Sequence, residues 1–142
     1  MKITKERILD EISNTSVVLD LFKKCNQPLQ DLFLKLVMES SRYSCNVGGY
    51  VKNMNETSIR LQKPYLVGRR SQNYCMFTLR PNSNYILVDI RTDEKLVDSE
   101  VLQLTKLRKG RYNGGTDWYR FIVKNASDID ESIRLISICY EG

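Results

Sequence analysis

Histidine is absent from this chain. That removes the commonest general acid-base side chain and the commonest metal ligand. Ser-His-Asp triads, Cys-His nucleophiles and most catalytic zinc sites are excluded with it. Cysteine is sparse. Cys25, Cys45, Cys75 and Cys139 lie far apart and form no Cys-x-x-Cys pair. The close ligand spacing of a structural zinc site is missing, so the expectation is no metal site and no cofactor. No apolar run approaches the ~20 residues that span a bilayer. The first residues, Met1-Lys2-Ile3-Thr4-Lys5-Glu6-Arg7, are charged and then amphipathic, without the apolar block of a secretion signal. The expectation is a cytoplasmic protein with reduced, mostly buried thiols and no membrane contact.

Acidic residues are missing from two long stretches. Arg60 to Arg80 carries Arg60, Lys63, Arg69, Arg70 and Arg80 without an opposing carboxylate. Gln103 to Thr116 carries Lys106, Arg108, Lys109 and Arg111, again unopposed. The net charge is +5, and the acids gather in the last segment at Asp128, Asp130, Glu131 and Glu141. Such polarity attracts phosphates or an acidic protein surface. It equally serves plain solubility. The 142 residues suffice for one domain, 1–142, with its own core.

Periodicity gives the outline. Thr4 reads as a helix cap, with Ile3 packing on Ile8. Ser13-Asn14-Thr15-Ser16 interrupts or recaps that helix, because these side chains compete for backbone hydrogen bonds. Val17, Val18, Leu21 and Phe22 continue an apolar face. Pro28 suits a first helical turn, and Leu29, Leu32, Phe33, Leu36 and Val37 follow at helical spacing. Residues 41–57, with Gly48-Gly49, read as loop with at most one short element. Residues 58–67 read as a strand that Pro64 confines to an edge or a bend. Residues 73–80 alternate, with Cys75, Phe77 and Leu79 opposite Tyr74, Met76, Thr78 and Arg80. Residues 85–91 alternate again across the Pro81-Asn82-Ser83-Asn84 turn, which predicts a hairpin. Asp98 to Leu102 reads as a helical turn and Leu104 to Arg108 as a weak strand. Trp118 to Lys124 is a strand, followed by a helix capped by Ser127 with Ile129, Ile133, Ile136 and Tyr140 on one side. The order predicts an α+β fold: N-terminal helices, a mostly antiparallel sheet of three to five strands, and a C-terminal helix packed on it.

The strands at 74–91, the 109–115 segment, Trp118 to Val123 and Ser127 to Ile136 together resemble a small bacterial domain of unknown function. That domain carries the label of predicted transport protein. It occurs alone or at the C-terminal end of restriction- and nuclease-associated proteins. The likeness covers about half of the chain, residues 74–141, and rests on pattern more than on fixed chemistry. It brings no catalytic residues. It implies an accessory role in nucleic-acid metabolism or defence.

Three candidate chemistries remain. Asp93 and Lys95, with Asp89 nearby, have the composition of a metal-dependent nuclease site, and equally of a charged strand end. Lys109-Gly110-Arg111-Tyr112-Asn113-Gly114-Gly115 has glycines that admit an anion to backbone amides, but lacks the ending of a phosphate-binding Walker loop. Its bland alternative is a hairpin loop. The outward positions of the strands place Tyr74, Met76, Arg80, Tyr85, Arg91, Trp118, Arg120 and Lys124 on one aromatic-basic surface, unless helices cover it. The composite expectation is a non-catalytic binding domain for nucleic acid. Arg69, Arg70, Lys106, Arg108, Lys109 and Arg111 would attract phosphates, with Tyr112 and Trp118 as stacking surfaces. An acidic protein partner is the alternative, and a small metal-dependent hydrolase the third.

Overall fold

The fold is taken from a computed structural model. It describes residues 1–53, 56–64, 71–92, 98–107 and 117–141. Three helices come first: α1 (Lys5–Ser13), α2 (Ser16–Lys24) and α3 (Gln27–Ser40). Strands β1 (Asn46–Asn53), β2 (Glu56–Pro64), β3 (Ser71–Arg80), β4 (Tyr85–Thr92), β5 (Thr105–Lys106) and β6 (Asp117–Val123) follow. A 3-10 turn at Ala126–Asp128 leads into α4 (Ile129–Glu141).

The helix starts follow capping chemistry. Thr4 Oγ1 accepts from Arg7 N at 3.2 Å, and Asn26 Oδ1 accepts from Leu29 N at 2.9 Å. Pro28 sits in the first turn of α3, where its missing N–H costs nothing. The polar 13–16 run does break the first helical stretch in two. At the other end Asn125, not Ser127, is the cap: its Oδ1 accepts from Ser127 N at 3.1 Å. A side chain that reaches two residues forward closes a tighter turn than Ser127 would.

All six strands form one sheet in the order β1-β2-β3-β4-β6-β5, and every neighbouring pair is antiparallel. The architecture is therefore α+β as expected, with a wider sheet. The extra width comes from β1, whose residues read as loop. Two glycines and two asparagines hid its alternation, and tertiary packing overrides such weak propensity. β2 ends at Pro64, which pairs with Ser71. Asp98 to Leu102 is a bend rather than a helical turn, with Ser99 Oγ accepting from Leu102 N at 3.0 Å. The weak strand shrinks to the two residues of β5.

One face of the sheet packs on all four helices. Ile59, Leu61, Phe77, Leu79, Ile86, Val88, Ile90, Phe121 and Val123 join Ile8, Phe33, Leu36, Leu135 and Ile136 in a single apolar cluster. Burial of this kind contributes about 25 cal/mol per Å2 and is the main source of stability. Tyr74 departs from simple alternation. The β2–β3 register slips at Leu61/Gln62, so Leu61 faces Cys75 while Gln62 faces Asn73. The extra residue, Tyr74, turns onto the helix side. There its ring lies 5.6 Å from that of Tyr140 and its hydroxyl donates to the Tyr43 carbonyl. Lys63 also enters this interface. It is 3% exposed, and Nζ donates to the Cys139 carbonyl at 2.9 Å, in the last turn of α4.

Candidate functional site

The opposite face of the sheet is the chemically distinctive surface. A smaller apolar cluster sits on it, made of Met76, Leu107 and Trp118 with Tyr50 against them. No described helix contributes to that cluster. Strand register lines up the rest. Arg60 opposes Met76, Met76 opposes Asp89, Asp89 opposes Arg120, and Arg120 opposes Thr105. Two residues along, Arg91 opposes Trp118. At the far end Arg80 opposes Tyr85. Strand alternation thus gathers Arg60, Arg80, Arg91 and Arg120 on one face. The same alternation puts the Asp89 carboxylate on this face.

Asp89 and Arg120 are the fixed point. Arg120 Nε donates to Asp89 Oδ1 at 2.7 Å, and Nη2 donates to Oδ2 at 3.0 Å. This fork-on-fork geometry is the strong form of an ion pair. The Asp89 side chain is 5% exposed and that of Arg120 is 27% exposed. Arg120 is held from below while its outer edge meets solvent. Arg60 lies 5.7 Å from the centroid of the Tyr50 ring, within cation-π reach. Its Nε is buried with no hydrogen-bond partner.

The structure sorts the expected site residues as follows. Lys106 is exposed in the edge strand β5, but its register with Tyr119 puts it on the helix side, opposite the arginine face. Trp118 is on the face but only 4% exposed, packed with Met76 and Leu107. A ring so enclosed packs against its neighbours in this structure. Tyr74 leaves the surface through the bulge described above. Arg69, Arg70, Arg108, Lys109, Arg111 and Tyr112 lie outside the described residues, as do Asp93 and Lys95. Asp89, offered as a metal ligand, instead pairs with Arg120. Among the described residues, no group of three cysteine or carboxylate side chains comes together to hold a metal ion.

Arg60 is the residue that sequence reasoning left out of the surface. Its alternation with Ser58 and Gln62 was visible, but its place beside Met76 depends on the β2–β3 register. The core groups carry no sign of reactivity. Burial pushes the Cys75 thiol well above its ordinary value, with Cys139 and Asp89 adding to the shift. Burial likewise raises the Tyr74 phenol, with Cys75 next. Both groups are held neutral, as packing residues are.

No family model, curated protein or solved structure matches the chain. Among the described residues, no helix is long and apolar enough to cross a membrane.

Proposed function

We propose that this protein is a binding domain for nucleic acid, acting through the arginine-bearing face of the sheet and the basic segment that follows β5 in sequence. One observation carries the reading. Register places Arg60, Arg80, Arg91 and Arg120 on one face of the sheet, where Arg120 engages Asp89. Such an excess of arginine draws phosphates and steers their approach. Tyr50, half-buried beside Arg60, offers a ring edge to a base. Lys106, exposed on the edge strand with its side chain on the other face, begins the basic run that Arg108, Lys109 and Arg111 continue in sequence. Arg69 and Arg70 belong to the same proposal on sequence alone. A kinship with the small bacterial domain associated with restriction proteins rests on residue pattern alone and would fit this role. A cytoplasmic setting goes with it, supported by four cysteines that are all free thiols.

The test is fluorescence anisotropy with short single-stranded and duplex oligonucleotides across a salt series. Binding should weaken with salt by about 0.7 log units per log unit for each phosphate neutralised on single strands, and about 0.9 on duplex. Arg60→Ala/Arg91→Ala/Lys106→Ala should weaken binding and flatten that slope. Absence of binding by the wild type at low salt, or an unchanged slope in the variant, would turn the reading toward an acidic protein partner.

A further inference from the structure

At the end of the sheet marked by the Pro81–Asn84 turn lies a cleft of about 370 Å3. The first turns of α3 form one wall, Asn84 closes one side, and Lys124 to Ala126 form the other wall. The volume falls in the range of small-molecule sites. Its floor is apolar: Leu29 and Leu32 are buried, with Pro28 and Ala126 beside them.

The rim is polar, and its hydrogen-bonding groups are unevenly spent. Asn26 Oδ1 accepts from Leu29 N. Asn84 Oδ1 accepts from Asn26 Nδ2 at 3.2 Å. Asn125 Oδ1 accepts from Ser127 N, and Asp31 Oδ1 accepts from Gln27 Nε2 at 2.8 Å. The amide oxygens are therefore engaged within the protein. The groups left to a ligand are mostly donors, the Asn84 and Asn125 amide nitrogens and the ammonium groups of Lys35 and Lys124, beside the second oxygen of Asp31. Neither lysine forms an ion pair with a described carboxylate. Counting Asp31, the rim is positive by one charge.

Asn84 also makes the rim rigid. Its backbone is left-handed, with φ 58, a conformation that asparagine tolerates better than most residues. Its side chain ties the β-turn to the cap of α3, so the closed side of the cleft is fixed to the α3 wall. An apolar floor under a ring of fixed donors selects an acceptor-rich head on an apolar body.

We propose that this cleft binds a small carboxylate with an apolar tail. The tail lies on Leu29 and Leu32, and the carboxylate meets Lys124, Lys35 and the two asparagine amides. The proposal is independent of the nucleic-acid reading, since it uses none of that surface's arginines. The experiment is titration of the 15N-labelled protein with octanoate, and with 1-octanol as the neutral counterpart. Octanoate at up to about 10 mM should shift the Asn84 and Asn125 side-chain amide signals. Octanol should bind more weakly. Lys35→Gln/Lys124→Gln should weaken octanoate about tenfold, and Ala126→Trp should fill the cleft and abolish the shifts. All three positions are exposed, so folding of the variants is expected and is checked by the rest of the spectrum. No shift at these two asparagines, equal binding of octanol, or wild-type affinity in the double lysine variant would each overturn the proposal.

Discussion

Two single residues show how tightly the fold is specified. Gly49 in β1 lies under the α1–α2 junction. A Cβ there would stand 1.9 Å from Thr15 Oγ1 and 2.9 Å from Thr15 Cβ. Its neighbour Gly48 has room, with Glu11 Oε2 the nearest atom at 3.7 Å. Gly49→Ala should therefore destabilise by about 1–3 kcal/mol, as overpacking does. Gly48→Ala should stay within about 0.5 kcal/mol. Urea melts of the two variants side by side provide the check, and equal stability would refute the close approach. Asp89 is the second case. Asp89→Asn leaves a guanidinium facing a neutral amide in a largely buried place, at a cost of about 2–4 kcal/mol. The variant Asp89→Leu/Arg120→Met removes both charges and should cost less than the sum of the single changes. A double-mutant cycle with no coupling would sink the idea that the pair acts as a unit.

At the scale of elements, α4 is tied to the segment between β4 and β5 through Glu131. Arg134 Nε donates to Glu131 Oε1 at 2.6 Å, Ser99 Oγ donates to Oε2, and Arg134 Nη2 reaches the Asp98 carbonyl at 2.9 Å. The bonds from Arg134 first, and then from Ser99, hold the Glu131 carboxyl below its ordinary 4.5. A depressed folded-state value means the stabilisation is complete above pH 4.5 and is lost as pH falls through the lower folded value. Glu131→Gln should thus show a flatter acid limb than wild type in melts from neutral to acid pH. The difference will be small, because Arg134, its main partner, is half-exposed and solvent screens the pair. A parallel acid limb would count against the linkage. Elements differ in how far the sequence announced them. The α3 stripe, the 73–91 hairpin, β6 and α4 were legible because apolar periodicity, turn residues and caps agree there. β1 was not, since Gly48, Gly49 and the asparagines around them carry no strand signal of their own. The bulge at Tyr74 was invisible for a different reason: a slip in register belongs to a pair of strands, not to either strand. The same holds for the candidate surface. Alternation gave Arg91 and Arg120 a common face, but only register sets Arg60 beside them and Asp89 beneath Arg120.

On the scale of the whole molecule, the sheet divides the protein into a dry side and a charged side. Helices from both ends of the chain share the dry side, which joins distant parts of the sequence in one core. Lys63 is the plainest case. Its ammonium, buried in β2, finds the Cys139 carbonyl 76 residues later. A ribosome delivers these two residues in order, and the first must wait for the second. Until α4 has been made, the ammonium lacks the Cys139 carbonyl and keeps the Tyr74 ring, 6.0 Å away, among its neighbours, so its burial is less well compensated. β2 therefore gains the last of its final contacts only once α4 is available. The sheet closes as a late event, after the last helix is available, in keeping with the slow folding of long-range contacts. Nascent chains stalled shortly before residue 139 should be cut rapidly by protease, and chains released at full length should resist. Protection of the stalled chains would show that β2 docks without its cap. If the stalled chains are cut, the buried lysine acts as a timing device in synthesis: it keeps the sheet open until α4 has been made.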